Sequence, residues 1–366
     1  MRELSHWGDL FTTPEMREIW SEEATIAAWL RAESSLAEAQ AKHGVIPPAA
    51  AAAIGRVRAT DIDLNRLRGD MALVGRPIIG LVKQIREHVG ADTAAHVHCH
   101  STTQDIMDTA SVLQMQAGIN LIQGRLSTAI TQVDRFIEEN GQTEMMGRTN
   151  GQAAIPLQFA TKLGVWRSEL SRRSEVIRSA ATRCLAVQMG GAVGDLSQYG
   201  NAVLGQAVKV SVAEALNLAA IEPHWQNARD GIHDIASTLG ALCATLAKIA
   251  QNVNLLASNG IDEVSEGYVD GRGASSAMAH KQNQRGSEFG EAVARLGRQC
   301  CERMGEATLH QHERSGGAWI MEWVIIPEAF LFTDAALSHL VATLGGLQIH
   351  SDRMQANVRK FYSETT

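Results

Sequence analysis

The chain has 366 residues, of which 45% are hydrophobic and only 5% aromatic, and its formal net charge is −7. This length allows about one to three domains. The acidic balance argues against the basic surface that nucleic acids and anionic membranes require, so neither is an expected partner. The low aromatic content disfavours a β-rich architecture, because aromatic and β-branched residues are enriched in strands.

The cysteines and the N-terminal segment indicate the compartment. The five cysteines are an odd number without a CxxC pair, which is typical of free thiols in a reducing cytosol rather than of disulfides. The first 16 residues lack the apolar core of a signal peptide, and no run of 18 uncharged apolar residues is present. We therefore expect a soluble, cytoplasmic protein.

Helical patterns follow one another along almost the whole chain. An amphipathic pattern predicts a helix over residues 17–44, which ends before Pro47 and Pro48. No segment shows the alternation of a strand, so the patterns predict an all-α fold. Further helices are predicted over residues 49–57, in shorter pieces within 61–92, and over 164–189, 284–308 and 320–346.

Two segments carry an apolar repeat whose steps alternate between three and four residues. Such a seam, sustained over more than three heptads, predicts long helices that bury one face against parallel or antiparallel partners. Residues 224–326 contain no proline, which permits such helices. The sequence therefore predicts a central bundle of long helices. The seams consist of Val112, Met115, Ile119, Ile122, Leu126, Ala129, Val133 and Phe136, and of Ile232, Ile235, Leu239, Leu242, Leu246, Ile249, Val253 and Leu256.

Polar, glycine-containing loops are predicted between the helices, at 96–105, 147–156, 189–195 and 262–284. The last of these contains Ser275 and Ser276, followed by Lys281 and Asn283 ahead of the next helix. Backbone N–H groups at a helix N-terminus, a lysine and an amide donor can together stabilise an oxyanion. The same field can lower the pKa of a serine so that it acts as a base. A surface loop that only caps a helix is the alternative interpretation.

Three of these loops resemble the motifs of one enzyme family. From His98 the first reads HCHSTTQDIMDT, which is similar to the pattern HxGxTSQDxxDT. The second reads GRTNGQAAIP at 147–156, where the family has GRTHxQxAxP, and the third reads ASSAMAHKQNQ at 274–284, where it has GSSxMPxKxNP. All three occur in the family's order. The chain is thus identified as a member of the aspartase/fumarase superfamily over residues 9–354.

Further segments resemble one branch of this superfamily. The run from His312, HERSGGAWIMEWVIIPE, is similar to the pattern ERxGxWxxEWxxLP of 3-carboxy-cis,cis-muconate cycloisomerases. The segments QMGGAVG at 188–194 and WQNARD at 225–230 resemble their QFGGAxGT and WHxQRD. Adenylosuccinate lyases carry a phosphate-binding arginine where Trp323 stands, so the resemblance argues against a nucleotide substrate.

The resemblance implies a homotetramer whose active sites are assembled from loops of three subunits and need no metal or organic cofactor. It implies addition or removal of a proton next to a carboxylate of a small polycarboxylate, and in the cycloisomerase direction a carboxylate adds across an alkene to close a lactone. The implied catalytic residues are Ser275 as general base, Lys281 and Asn283 as stabilisers of an enolate-like dianion, and His98 for orientation or proton transfer. The implied substrate-binding residues are Thr102, Thr103, Arg148, Asn150, Gln152, Arg229, Ser276 and Met278.

Departures from the family pattern leave two alternatives open. Asn150 replaces the usual general-acid histidine, and an asparagine cannot transfer a proton at neutral pH, although the muconate cycloisomerases also lack that histidine. Asp195 replaces a threonine, and it either repels a polyanion or binds a substrate amine. The first alternative is therefore a C–N lyase that releases fumarate from an amino-dicarboxylate or N-substituted aspartate. The second is a non-catalytic tetrameric homologue, suggested by Ala274, Ala279 and Gln284 in the third loop.

Other residues have a structural and a functional interpretation. His96, His98 and His100 alternate as zinc ligands can on extended backbone, but we expect a substrate-facing loop end and no metal site. Cys300 and Cys301 lie in a predicted helix and are expected to pack. Trp319 and Trp323 share a helix face, in the core or along the substrate pocket. We expect supporting roles at the site for Trp323, Asp195 and Glu288, the last of which would hold Asn150 or Lys281.

The predicted domain organisation has three parts. Residues 1–95 form an N-terminal helical domain, and residues 96–348 form the central long-helix bundle domain. Residues 349–366 form a short tail in place of the small C-terminal domain that is common in the family.

Overall fold

The structure, a computed structural model, describes residues 7–267 and 283–362. Helices dominate these ranges, in agreement with the all-α prediction. In chain order the helices are α1 (Gly8–Phe11), α2 (Pro14–Ile19), α3 (Glu22–Lys42), α4 (Pro48–Ile54), α5 (Leu64–Val74), α6 (Pro77–Val89), α7 (Ala91–Ala94), α8 (Thr103–Asn140), α9 (Phe159–Cys184), α10 (Ala202–Leu216), α11 (Asp230–Leu256), α12 (Arg285–Glu302), α13 (Met304–Ala307), α14 (Gly316–Gly346) and α15 (Ser351–Phe361).

Short strands interrupt the helices, and the sequence analysis did not predict them. They are β1 (Glu144–Thr149), β2 (Gln152–Gln158), β3 (Ala186–Val187), β4 (Ala219–Ala220), β5 (Val264–Ser265) and β6 (Gln348–Ile349). β1 and β2 form an antiparallel hairpin, β3 pairs with β4, and β5 pairs with β6. The expectation of a simple loop over 147–156 was therefore wrong. The hairpin could not be predicted from the sequence pattern, because β2 is exposed along most of its length and lacks the alternation of apolar and polar residues of a half-buried strand.

A bundle of long helices forms the main core. α8 packs against α9 and α14, and α11 packs against α9, α12 and α14. All residues of the two predicted seams are buried in this bundle, which confirms the prediction. The seams could be predicted because an apolar position recurs every 3.5 residues on average. This spacing keeps the buried stripe on one face of the helix, almost parallel to the helix axis.

Two bundle helices, α11 and α14, are long and apolar enough to cross a membrane by length and composition alone. Inside the protein, 50% and 61% of their most apolar windows are buried, because both helices lie in the bundle core. Their apolar character is that of core helices in a soluble protein.

A second, smaller core lies beside the bundle. It joins α3, α4, α5 and α6 to the first turns of α8 and to α10. Residues from the middle of the chain thus fold onto the N-terminal helices. The domain boundaries at 95/96 and 348/349 stay predictions; within the predicted tail, α15 packs against β1.

The length of α8 sets the distance between the predicted functional segments. This helix has 38 residues and is therefore about 57 Å long. α11 runs in the same direction as α8, since Arg229 at its start bonds Asp108 early in α8, and Glu263 after its end pairs with Arg148 in the hairpin. The bundle thus has a Thr102 end, where α8 begins, and a hairpin end, where α8 leads into β1.

Candidate active site

Asp105 organises the Thr102 end from the first turn of α8. Its buried carboxylate accepts hydrogen bonds from the backbone N–H groups of Thr102 at 3.1 Å, Gly190 at 2.9 Å and Gly191 at 3.0 Å. One side chain thus holds the predicted loops 96–105 and 189–195 together. Burial raises the pKa of Asp105 to about 6, although these hydrogen bonds favour its carboxylate form.

Arg314 ties the same two loops from the other side. It lies just before α14, and its Nε donates to Gln104 Oε1 at 2.8 Å. Its Nη2 donates to Thr102 Oγ1 at 3.3 Å and to the carbonyl oxygen of Ala192 at 3.2 Å. A permanent positive charge therefore lies beside the predicted carboxylate-binding threonine.

His98 is held by a carboxylate from α3. Its backbone is left-handed, with φ +62°, which is uncommon for a residue with a side chain. Nδ1 donates to Oε1 of the buried Glu33 at 2.6 Å. Burial, the largest single effect, disfavours the protonated ring, but the charge and the hydrogen bond of Glu33, together with the charge of Asp105, outweigh it and raise the pKa of His98. The imidazole therefore keeps its proton to higher pH than an exposed histidine does.

His98 also lines a cavity of about 450 Å³, which we call the cationic cavity. Lys83 and Arg86, three residues apart on α6, line it together with Thr103, the first residue of α8. The acidic Glu87 lines it as well, but an arginine of α5 pairs with that carboxylate at 3.0 Å. Because the N-terminus of a helix also favours negative charge, the cationic cavity suits an anion.

Arg229, predicted to bind a substrate carboxylate, is buried and already holds two protein carboxylates. Its Nη1 donates to Asp108 Oδ2 at 2.7 Å, and its Nε donates to Glu322 Oε1 at 2.8 Å. The guanidinium lies 4.6 Å from the ring centroid of Trp225. Its role in substrate binding stays a prediction.

Asp195 and Trp323 lie at the same end of the bundle. Asp195 is exposed and accepts the backbone N–H of Ser197 at 3.0 Å, which lowers the pKa of its carboxyl group and keeps it ionised. Trp323 packs edge-on against Trp319, with ring centroids 5.1 Å apart, and lines a cavity other than the cationic one. Their supporting roles stay predictions.

The hairpin end holds the second predicted motif. Arg148 forms two hydrogen bonds to the buried carboxylate of Glu263 at 2.8 and 2.9 Å, and Asn357 of α15 donates to the same carboxylate at 2.9 Å. Asn150 turns the hairpin with φ +51°, and both Asn150 and Gln152 are exposed. The hairpin tip thus offers two amide side chains to solvent or to a second chain.

Glu266 joins the two flanks of the third predicted loop. Its carboxylate accepts the N–H groups of Gly286 at 2.8 Å and Ser287 at 2.6 Å, and its own N–H donates to Gln284 Oε1 at 2.7 Å. The loop therefore leaves and re-enters the fold at one place at the hairpin end, with Asn283 just before α12. Between these flanks lie four predicted residues that are outside the described ranges: Ser275, Ser276, Met278 and Lys281.

The structure brings the described site residues together in two groups rather than one. Most of the length of α8, which is about 57 Å in total, separates the groups, so one chain cannot place both on one small substrate. Glu288 pairs with Arg285 in the first turn of α12. The Thr102 end holds His98, Thr102, Thr103, Asp195, Arg229 and Trp323, and the hairpin end holds Arg148, Asn150, Gln152, Asn283 and Glu288.

Histidines and cysteines have other contacts in this fold. In residues 7–267 and 283–362, no group of three or more His, Cys, Asp or Glu side chains could hold a metal ion. His98 binds Glu33, and His100 packs against the ring of Tyr199 with centroids 5.0 Å apart. Cys300 and Cys301 are buried inside α12, which confirms that they pack in the core.

Comparison with known proteins decides the family. A sequence profile of the family described as lyase matches residues 10–296. The chain belongs to this lyase family. Its relatives confirm the resemblance to the aspartase/fumarase superfamily, and the chain is an enzyme of the lyase and cycloisomerase type.

Two sequence relatives and one solved structure describe the similarity. The lyase is 33% identical over 351 residues to trans-aconitate decarboxylase 1 of Mycosarcoma maydis. This alignment covers 96% of the lyase and 71% of the relative. It is 34% identical over 362 residues to a 3-carboxy-cis,cis-muconate cycloisomerase of Acinetobacter baylyi, with 96% and 79% covered. The crystal structure of β-carboxy-cis,cis-muconate cycloisomerase from Acinetobacter calcoaceticus matches with a TM-score of 0.90 and 30% identity, covering 97% of the lyase and 80% of that chain.

Several residues of the lyase site were missed in the sequence analysis. Lys83 and Arg86 did carry a signal, because two basic residues three apart share one helix face in an otherwise acidic chain. Arg314 belongs to the ER motif, but the sequence does not show that its side chain contacts the Thr102 loop. Glu33 gave no signal, since a glutamate in an amphipathic helix is normally exposed and only tertiary packing buries this one.

Proposed function

We propose that this lyase is a cycloisomerase of the 3-carboxymuconate type, which interconverts an unsaturated polycarboxylate and a lactone. The observation that carries the proposal is the cationic cavity, in which Lys83, Arg86 and His98 surround the N-terminus of α8. A tricarboxylate has about three negative charges at neutral pH, and it binds where cations and helix N-terminal N–H groups concentrate. The relatives point the same way, since carboxymuconate and aconitate are both unsaturated polycarboxylates.

The proposed reaction rearranges the substrate with uptake of one proton. One carboxylate oxygen forms a bond to an alkene carbon, and the electron pair of the double bond moves into the neighbouring carboxylate to give an enolate-like dianion. The carbon next to that carboxylate then takes up the proton, and nothing leaves. Ser275 moves the proton at this carbon, and Lys281 and Asn283 stabilise the dianion.

The residues of the Thr102 end bind and orient the substrate in this proposal. Thr102 and Thr103 donate to carboxylates at the start of α8, and Arg314 and the cations of the cationic cavity balance their charge. His98 orients a carboxylate or transfers a proton, and the raised pKa that Glu33 gives it suits a donor near neutral pH.

A homotetramer with shared active sites is the assembly that we propose. A complete site needs the Thr102 end of one chain together with the hairpin tip and serine loop of other chains, because α8 keeps these segments apart within one chain. Apolar side chains near the hairpin support a further contact there, since Ile155 is 65% and Val165 56% exposed. We place the tetramer in the cytoplasm, because all five cysteines are free thiols.

The C–N lyase alternative depended on Asp195 as the partner of a substrate amine. This carboxylate is exposed and already accepts an N–H of its own loop. The relatives named as muconate cycloisomerases do not favour the alternative either. Turnover of either substrate class would exclude the non-catalytic alternative.

The direct test supplies 3-carboxy-cis,cis-muconate to the purified protein and follows the loss of diene absorbance. We expect turnover, and we expect Ser275→Ala to reduce kcat by about 10²–10⁴-fold, the usual contribution of a positioned general base. Ser179→Ala, an exposed serine on α9, is the matched control and should keep the wild-type rate. If no muconate turns over, the proposal is wrong, and release of fumarate from an N-substituted aspartate would establish the C–N lyase instead.

A further inference from the structure

A second cavity, of about 280 Å³, lies between α3, α8 and α14. Five of the seven tryptophans of the chain line it, a high share for a protein in which aromatic residues make up 5%. Arg229 and Trp323, both predicted for the substrate site, are in its wall, so this cavity adjoins the proposed site. We call it the tryptophan cavity, lined by Trp20, Trp29, Trp225, Trp319 and Trp323.

The tryptophan cavity lies next to the cationic cavity along two helices. On α8, Thr103 lines the cationic cavity, and Met107, one helical turn further, lines the tryptophan cavity. Four residues of an α-helix span about 6 Å. On α6, Pro77 lines the tryptophan cavity and the next residue, Ile78, lines the cationic cavity. The two cavities are thus close enough for one small molecule to occupy both.

The indoles present their carbon faces to the tryptophan cavity rather than their N–H groups. Trp319 Nε1 donates to Asp108 at 2.8 Å, and Trp225 Nε1 donates to a backbone carbonyl at 2.9 Å. The N–H groups of Trp20 and Trp323 are buried and inaccessible. A ligand in this cavity therefore gains from contact with the rings and not from hydrogen bonds to the indole nitrogens.

The ionic groups in the wall are bonded to one another. Arg229 donates to Asp108 at 2.7 Å and to Glu322 at 2.8 Å, so its charge is already compensated. Two carboxylates against one guanidinium repel a further anionic group. A neutral, apolar group leaves these bonds intact and gains free energy by leaving water.

The tryptophan cavity has room for one aromatic ring. A cavity of about 150 Å³ in another protein accommodates benzene, and this one is larger. Apolar side chains complete its wall between the indoles, among them Met107, Ile232 and Ile326. Aromatic faces and sulfur pack favourably against a ring, so the cavity suits a group of about the size of phenyl.

We propose that the substrate of this lyase is a polycarboxylate that carries a neutral, apolar substituent of about the size of a phenyl ring. Its carboxylates occupy the cationic cavity, and the substituent occupies the tryptophan cavity, one turn further along α8. Neither carboxymuconate nor aconitate, which appear in the names of two relatives, carries such a group. The inference rests on the polyanion site of the proposed function, but not on which polycarboxylate reacts.

The test measures the binding of succinate, methylsuccinate and benzylsuccinate to the full chain by isothermal titration calorimetry. The three compounds have the same two carboxylates and differ only in the substituent. We expect benzylsuccinate to bind about 10–100-fold more tightly than succinate, with methylsuccinate between them, because the phenyl group leaves water. If benzylsuccinate shows no saturable binding, or binds no more tightly than succinate, the proposal is wrong.

Ser111→Leu fills part of the tryptophan cavity, because Ser111 lies in its wall on α8. We expect benzylsuccinate to lose most of its advantage in this variant, while succinate keeps its affinity. Ser127→Leu, the same change at an exposed position of α8, should leave the advantage at its wild-type value. Misfolding would weaken both ligands, so a selective loss reports on the cavity. An unchanged advantage in Ser111→Leu would overturn the proposal.

Lys83→Met tests whether one ligand occupies both cavities, since Lys83 lines the cationic cavity. We expect it to weaken succinate and benzylsuccinate by the same factor, about tenfold. Weaker binding of succinate alone would show that benzylsuccinate does not use the cationic cavity, and it would contradict the proposal. These measurements need no turnover. Failure of 3-carboxy-cis,cis-muconate to react would therefore count against the proposed function and not against this inference.

Discussion

At the scale of single residues, buried carboxylates on helices hold the chemistry of the Thr102 end in place. Asp105 fixes two loops, Glu33 fixes His98, and Glu322 with Asp108 fixes Arg229. In each case the carboxylate lies on a helix, and the packing of that helix restricts the position of the carboxylate. The groups that it binds lie just outside the helices. The bundle therefore determines the geometry of segments that have no regular structure of their own.

Glu33→Gln tests the control of His98. Without the charge of Glu33, burial and the repulsion of Arg86 outweigh the smaller attraction of Asp105, so we expect the pKa of His98 to fall below its ordinary value of about 6.5. The raised pKa stabilises the fold below that pH, and this contribution disappears as the pH rises through the folded-state pKa. A proton NMR titration of His98, assigned with His98→Asn, measures the change.

Glu38→Gln serves as the control for this experiment, because Glu38 lies on the same helix and is exposed. It should leave the titration of His98 at the wild-type position. An unchanged pKa in Glu33→Gln would show that the 2.6 Å contact does not govern the protonation of this ring.

Asp105→Asn tests the buried carboxylate of α8. Because the native state raises this pKa from 3.8 to about 6, it binds more protons than the unfolded state between those values, and stability falls as the pH rises. A shift of two pKa units, at 1.36 kcal/mol each, corresponds to a fall of about 2–3 kcal/mol in the free energy of unfolding between pH 4 and pH 7. Urea unfolding across this range should show the fall in the wild type and in Asp92→Asn, an exposed control, but not in Asp105→Asn. Parallel curves for all three proteins would contradict the assignment.

At the scale of elements, the long helices could be predicted because their packing is periodic. Both seams follow from apolar spacing and proline positions alone; α11 begins two residues before its seam and ends with it, whereas α8 begins nine residues before its seam and ends four residues after it. The hairpin β1–β2 could not be predicted in this way, since its register depends on the turn at Asn150 and on α15, which packs against β1. The contacts of Glu33 with His98 and of Arg314 with Thr102 could not be predicted for the same reason, because they form only through tertiary packing.

The contact between α8 and α14 yields a prediction about stability. A Cβ atom on Gly118 would lie 2.6 Å from the ring of Phe330, which is buried and cannot move aside easily. We expect Gly118→Ala to destabilise the protein by about 1–3 kcal/mol, the usual effect of overpacking. Gly124→Ala, on the same helix with nothing within 4 Å, should be neutral or stabilising by up to about 1 kcal/mol. Chemical denaturation measures both, and equal effects of the two changes would contradict the packing described here.

At the scale of the whole molecule, the parallel course of α8 and α11 separates the predicted motifs into two ends. The Thr102 end carries the cations and the helix N-terminus that suit a polyanion, and the hairpin end carries the flanks of the serine loop. Sequence order alone gives no sign of this separation, because all three motifs read as consecutive loops. The lengths of the helices support the proposal that the motifs meet between chains rather than within one.

Complementation between two inactive variants tests this central claim most directly. His98→Ala alters the Thr102 end and Ser275→Ala alters the serine loop, and each alone should lose most of the turnover of the polycarboxylate. When the two proteins are dissociated, mixed in equal amounts and reassembled, we expect about a quarter of wild-type activity, because a quarter of the sites combine two intact segments from different chains. If the mixture stays as inactive as its components, the two segments act within one chain, and the shared site is contradicted.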